Sequence, residues 1–208
     1  MQEIAANGTV DLPKLFGRTA PVQVDLGCGD GSFLLQLAEL YPGKNFLGIE
    51  RLARRVAKTG RKANRVENLR VLRTETAYAV ESLFPPKSIE AFHLLFPDPW
   101  PKRRHHRRRI VTATFLSAIH RALEPNGLFH IATDYADYFQ QIHRLASNMI
   151  ALDNAHPELD GLKPSSLRRF EIIESADANF PRTTFEKRFC AAGASIYRLS
   201  LRKISPVT

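Results

Sequence analysis

With 208 residues, 44% of them hydrophobic, the chain has the length of one domain with short appendages and enough apolar material for a real core. A formal net charge of +9 points to an anionic partner, and no apolar run approaches a membrane span or the order of a signal peptide. Two cysteines, Cys28 and Cys190, give neither a disulfide framework nor a zinc spacing, so a cytoplasmic protein with no metal is expected.

Residues 1–20 are mixed in character and read as an arm. From residue 22 the chain alternates strand and helix. A strand over 22–26 leads into a helix over 32–40 with Phe33, Leu34, Leu37 and Ala38 on one face. A strand over 45–50 precedes a basic helix over 52–65, and a strand over 69–73 precedes a short helix over 77–84. The apolar run 89–96, with polar His93 inside it, reads as a buried strand. A helix over 110–123 stops before the turn signal Pro125-Asn126-Gly127. A strand over 128–133 and a helix over 135–150 follow. After residue 150 the pattern weakens: 153–166 reads as a loop, and 196–201 alternates like a late antiparallel strand. The repetition predicts an α/β fold, a doubly wound and mostly parallel sheet covered on both faces, in one domain over 1–208.

The first strand runs into Asp25-Leu26-Gly27-Cys28-Gly29-Asp30-Gly31. Gly27, Gly29 and Gly31 permit a tight turn and close backbone approach to a ligand, although many α/β proteins carry such a turn for structural reasons alone. Glu50 ends the second strand, where a carboxylate can accept from both hydroxyls of a ribose. Asp25 would meet a cationic or amine-bearing ligand, and a pyrophosphate would be repelled by Asp25 and Asp30. The spacing also departs from the dinucleotide G-x-G-x-x-G. S-adenosylmethionine is therefore favoured over a nicotinamide cofactor. Glu75, at the third strand's end, either faces an adenine edge or is a surface acid favoured by a helix N-terminus.

The fourth strand ends in Phe96-Pro97-Asp98-Pro99-Trp100-Pro101 and then a basic run with two histidines. The prolines stiffen this turn and present Asp98. Six of the 30 Lys and Arg lie here: Lys102, Arg103, Arg104, Arg107, Arg108 and Arg109. The arginines suit an RNA backbone, and Lys102 either pairs with phosphate or decorates the loop. Trp100 either stacks on a base or packs inward. His105 and His106 are adjacent, so they do not share a helix face as zinc ligands would. Asp134 is either a helix cap or a site residue, and Thr183 and Glu186 have capping-box spacing.

These residues resemble the bacterial tRNA (guanine-N7)-methyltransferases. The resemblance rests on the glycine turn, Gly48-Ile49-Glu50, residues 96–109, Ala132-Thr133-Asp134 and Thr183-Thr184-Phe185-Glu186-Lys187-Arg188. It implies a Rossmann-like methyltransferase that uses S-adenosylmethionine and acts on tRNA, in the variable loop. It places the cofactor acids at Asp25, Glu50 and Glu75, with Asp98 at both cofactor and reacting base. It places tRNA contacts at Lys102, Asp134 and the segment Thr183, Thr184, Phe185 and Glu186. Guanine N7 carries an in-plane lone pair and needs no deprotonation before it attacks a methyl group. The task is then positioning and electrostatics, and a carboxylate such as Asp98 stabilises the charge the base gains. Three other readings explain less. An exocyclic-amine methyltransferase would carry Asp-Pro-Pro-aromatic, a passive RNA-binding module would not need the turn with its acids, and a dehydrogenase lacks a hydride-transfer constellation.

Overall fold

A computed structural model describes residues 8–155, 170–173 and 180–204. One sheet of seven strands runs through it in the order β3-β2-β1-β4-β5-β7-β6. The strands are β1 (Val22–Leu26), β2 (Asn45–Glu50), β3 (Leu69–Arg73), β4 (Ile89–Leu95), β5 (Leu123–Thr133), β6 (Phe170–Ile173) and β7 (Tyr197–Lys203). Pairing is parallel from β3 to β5, and β7 is antiparallel to both of its neighbours. Every residue of β1 and β2 is buried, as a sheet covered on both faces requires.

The helices are α1 (Leu12–Phe16), α2 (Ser32–Leu40), α3 (Ala53–Ala63), α4 (Thr76–Tyr78), α5 (Ala113–Ala122), α6 (Ala136–Ala155) and α7 (Thr184–Ala191). A π-turn, Ala79–Leu83, continues α4. Phe33, Leu34, Leu37 and Ala38 of α2 are buried, the face that the spacing predicts. Strand order reverses between β1 and β4, and the crevice at the carboxyl ends of those strands is where open α/β sheets bind ligands.

The chain departs from expectation at several places. Residues 8–20 are no free arm. Asp11 caps α1 by accepting from the Lys14 amide, and Leu12, Leu15 and Phe16 are buried. Burial of three large apolar side chains outweighs the ordering of so short a segment. Residues 1–7 lie outside the described residues. The turn signal at Pro125-Asn126-Gly127 sits inside a strand: the register jumps from Ile89↔Leu123 to Ala91↔Leu128, and Asn126 takes φ 63° at the irregularity. The helix before that strand, α5, begins at Ala113, not 110, because the Thr112 hydroxyl caps it by accepting from the Phe115 amide. α6 runs on to Ala155, so the loop expected over 153–166 begins helical, and its residues 156–166 lie outside the described residues. β6, α7 and a 3-10 helix over Arg103–Arg108 form where sequence periodicity gave no element. The antiparallel strand is where alternation put it.

Candidate functional site at the carboxyl edge of the sheet

The glycine turn closes β1 over β2. The amides of Gly27 and Cys28 both donate to the Ile49 carbonyl, at 2.9 and 3.0 Å. Gly27 and Gly31 have φ of 89° and 71°, which disfavours any side chain. At Gly31 a Cβ would also sit 2.5 Å from the Thr59 methyl, whereas at Gly27 it would meet nothing within 4 Å. Backbone is thus pressed against α3 behind the turn, with open space before it. Thr59 is wholly buried, and its hydroxyl donates to the Gly29 carbonyl. No sequence motif marks that role.

Two acids stand behind the turn. Glu50 is 4% exposed; one carboxylate oxygen accepts from the Gly29 amide at 3.2 Å and the other from the Leu52 amide at 2.8 Å. Arg55 approaches one of these oxygens at 3.7 Å, and the remaining lone pairs can accept from a ligand hydroxyl. Asp25 is equally buried, and its carboxyl takes part in no hydrogen bond or ion pair among the described residues. Burial, with the Glu50 charge second, pushes its carboxyl up to about 7. Asp30 behaves differently from expectation. Partial burial raises its carboxyl, but hydrogen bonds from Ser32, Lys62 and Lys58 together outweigh that and hold it at about 2. The ammonium groups of Lys58 and Lys62 stand 3.3 and 3.2 Å away. The Asp30 charge is neutralised within the protein, so the case against a pyrophosphate rests on Asp25 and Glu50. Glu75 is well exposed, caps nothing with its side chain and stands 4.0 Å from Arg51.

Across the crevice, β4 turns sharply into the acidic loop. Phe96 and Trp100 adopt φ of 57° and 45°, a region large side chains rarely occupy and one that clusters at functional sites. Between them Asp98 is exposed. The Arg108 guanidinium lies 4.8 Å over the Trp100 ring, and His105 meets that ring edge-on, so Trp100 is sandwiched within its own loop. Lys102, Arg103, Arg104, Arg107 and Arg108 are exposed. Arg109 is a correction: its side chain is 1% exposed, and it donates to the Pro99 carbonyl, Gln141 and Asp137. A guanidinium so enclosed is no phosphate contact. It ties the acidic loop to α6 and holds the Asp137 carboxyl below the usual range.

Asp134 does not cap α6 with its side chain; the helix begins two residues later, and Thr133 accepts from the Tyr135 amide. Thr183 caps α7 by accepting from the Glu186 amide. Glu186 does not complete a capping box, because its carboxylate turns inward to Arg198 and, at 3.6 Å, to Arg182. Phe185 is 46% exposed, stacked on Phe189, and Thr184 is exposed. Between α7 and the sheet lies a cavity of about 340 Å³ lined by Phe33, His93, Leu95, Ala132, Glu186 and Arg198. Asp98 and Asp134 follow Leu95 and Ala132 at the ends of those two strands. His93 is buried, and burial first, then His130, holds it neutral. Its Nε2 pairs with the Gln23 amide oxygen, and Gln23 in turn donates to Glu90.

Among the described residues no group of three His, Cys, Asp or Glu could hold a metal ion, and no helix is long and apolar enough to cross a membrane. A family model described as "Putative methyltransferase" matches residues 19–199. A protein of Cronobacter sakazakii, "tRNA (guanine-N(7)-)-methyltransferase", is 35% identical over 94% of this chain and 77% of its own length. One of the same description from Leifsonia xyli subsp. xyli is 36% identical over 96% of this chain and 83% of its own. Among solved structures, the aminoglycoside resistance methyltransferase NpmB1 matches with a TM-score of 0.57 at 21% identity, over 93% of this chain and 92% of that one. The 16S rRNA methyltransferase KamB matches at 0.58 and 16%, over 99% and 96%. These two likenesses concern the fold.

Proposed function

Since the chain belongs to the tRNA (guanine-N(7)-)-methyltransferase family, we propose that it methylates N7 of a guanine in the tRNA variable loop. S-adenosylmethionine is the cofactor and, when bound, supplies a methyl group on a positively charged sulfur. The donor set fits such a ligand. Asp25 is a buried carboxyl lacking a partner among the described residues, the turn is open in front of Gly27, and Glu50 keeps lone pairs for a ribose. An ammonium or sulfonium near Asp25 compensates a charge that burial otherwise penalises. Glu75, exposed at the neighbouring strand end, is at most an outer contact to the adenine.

The single observation that carries the reading is the placement of Asp98. It lies in the loop that follows β4, on the other side of the switch point from the glycine turn after β1, and Arg109 fixes that loop. Asp98 orients the guanine and stabilises the positive charge it gains as the N7–methyl bond forms and the sulfur–methyl bond breaks. No side chain has to remove a proton before attack. Lys102, Arg103, Arg104, Arg107 and Arg108 hold tRNA phosphates, and Asp134 with residues 183–186 borders the base. The test is incubation of the protein with labelled S-adenosylmethionine and unmodified tRNA, followed by digestion. Label in 7-methylguanosine from a variable-loop fragment is expected; label in an exocyclic-amine product would overturn the reading.

A further inference from the structure

The basic loop accounts for only part of the positive charge. Residues 51–65, on and around α3, carry seven Lys and Arg and no acid. Together with the six cations of the loop they hold 13 of the 30, leaving 17 cations against 21 acids, a net −4 for the rest of the chain. The excess positive charge therefore resides in two segments.

The α3 cations divide by what they touch. Arg55 stands 3.7 Å from Glu50, and Lys58 and Lys62 neutralise Asp30. Arg54, Arg61 and Arg65 are exposed, and none has a side-chain hydrogen bond or ion pair among the described residues. Arg54 and Arg61, seven residues apart, lie on one face two turns and about 10 Å apart, and Arg65 follows just beyond the helix end. The helix start also breaks local rules. Leu52 at the N-cap gives no side-chain cap, and the first turn holds Arg54 and Arg55 but no acid, against the helix dipole. Such local conflict is expected where function demands it.

The two segments start on either side of one place, and α3 then runs away from it toward the start of β3. α3 follows β2 and the basic loop follows β4, and these strands lie on either side of β1 and its glycine turn. We propose that the exposed face of α3, carried by Arg54, Arg61 and Arg65, is a second tRNA-binding surface. The polyanion then crosses the cofactor crevice from the basic loop to α3. The inference rests on the tRNA reading above and adds a contact region to it. Phosphate recognition requires only unpaired cations in an acid-free stretch, and this face supplies them.

The experiment measures tRNA affinity against salt for the wild type, for the triple variant Arg54→Gln, Arg61→Gln, Arg65→Gln, and for the charge-keeping triple Arg→Lys. A double variant, Lys14→Gln with Lys87→Gln, removes exposed cations remote from the crevice and controls for net charge. Cofactor affinity reports on folding of the turn. In the Gln triple the expected salt slope is shallower by about 0.7–0.9 for each phosphate no longer neutralised. The Lys triple and the control should keep the wild-type slope, and cofactor affinity should be equal in all. A slope unchanged in the Gln triple, or one that falls equally per cation in the control, overturns the inference while the family reading stands. A wild type with no measurable tRNA affinity overturns the tRNA reading and this inference with it.

Discussion

Asp25 links the site to pH. In the free protein its carboxyl sits near 7 because burial and Glu50 oppose the charged form. A cationic cofactor stabilises that charge and lowers the value on binding. Affinity should be full above about 7 and fall by about tenfold per unit as pH drops below it, until the bound group titrates. Calorimetry across pH, in two buffers of different ionisation heat, should show proton release near neutrality. Asp25→Asn should bind weakly and without that pH dependence; a wild-type affinity flat with pH would remove Asp25 from the cofactor's charge. The role proposed for Asp98 concerns the other partner. At saturating cofactor and tRNA, Asp98→Asn should lower the single-turnover rate by about 10²–10³-fold. The wild-type rate should stay nearly flat from about pH 6.5 to 8.5, because no base near neutrality is required. A tenfold rise over that range, absent in Asp98→Asn, would show base catalysis.

The acidic loop and its 3-10 helix form an element whose adjacent arginines do different things. Arg109 is enclosed and makes charge-assisted bonds to Pro99, Gln141 and Asp137, while Arg107 faces solvent. Arg109→Met should destabilise the fold by about 1–3 kcal/mol, because the Pro99 carbonyl loses its donor. It should also slow methylation in the folded fraction by loosening Asp98. Arg107→Gln should change stability by less than about 0.5 kcal/mol and weaken tRNA binding instead. Urea unfolding and tRNA titration of both variants separate the roles. Equal stability for the two would mean that the loop does not depend on its buried arginine.

At the scale of the molecule, the sheet places Asp25, Glu50, the basic loop and the start of α3 on one edge. The two ligands should therefore answer differently to salt. tRNA affinity should fall steeply with ionic strength through counterion release, whereas affinity for a cofactor held, as proposed, by the buried Asp25 and Glu50 should change little. Parallel titrations of both ligands from low to high salt check this. A tRNA affinity independent of salt would remove the electrostatic footing of the interface.

The sequence alone determined the features that short-range chemistry encodes. A glycine turn with an acid before it and another at the next strand end can be read without a partner, as can a proline-set carboxylate before a basic run. So can strand–helix alternation, since each element buries a face at its own period. Only the tertiary structure decided which of these groups are enclosed. Arg109 is indistinguishable from Arg107 and Arg108 along the chain, and its burial comes from residues 28 and 32 positions away. Asp30 and Asp25 share a turn, yet lysines from α3 neutralise one while the sheet strips water from the other. The same holds for α1, a mixed stretch until it finds a core, and for β6, four residues long and defined by pairing with β7. Burial and charge compensation are sums over neighbours distant in sequence, and no local pattern carries them.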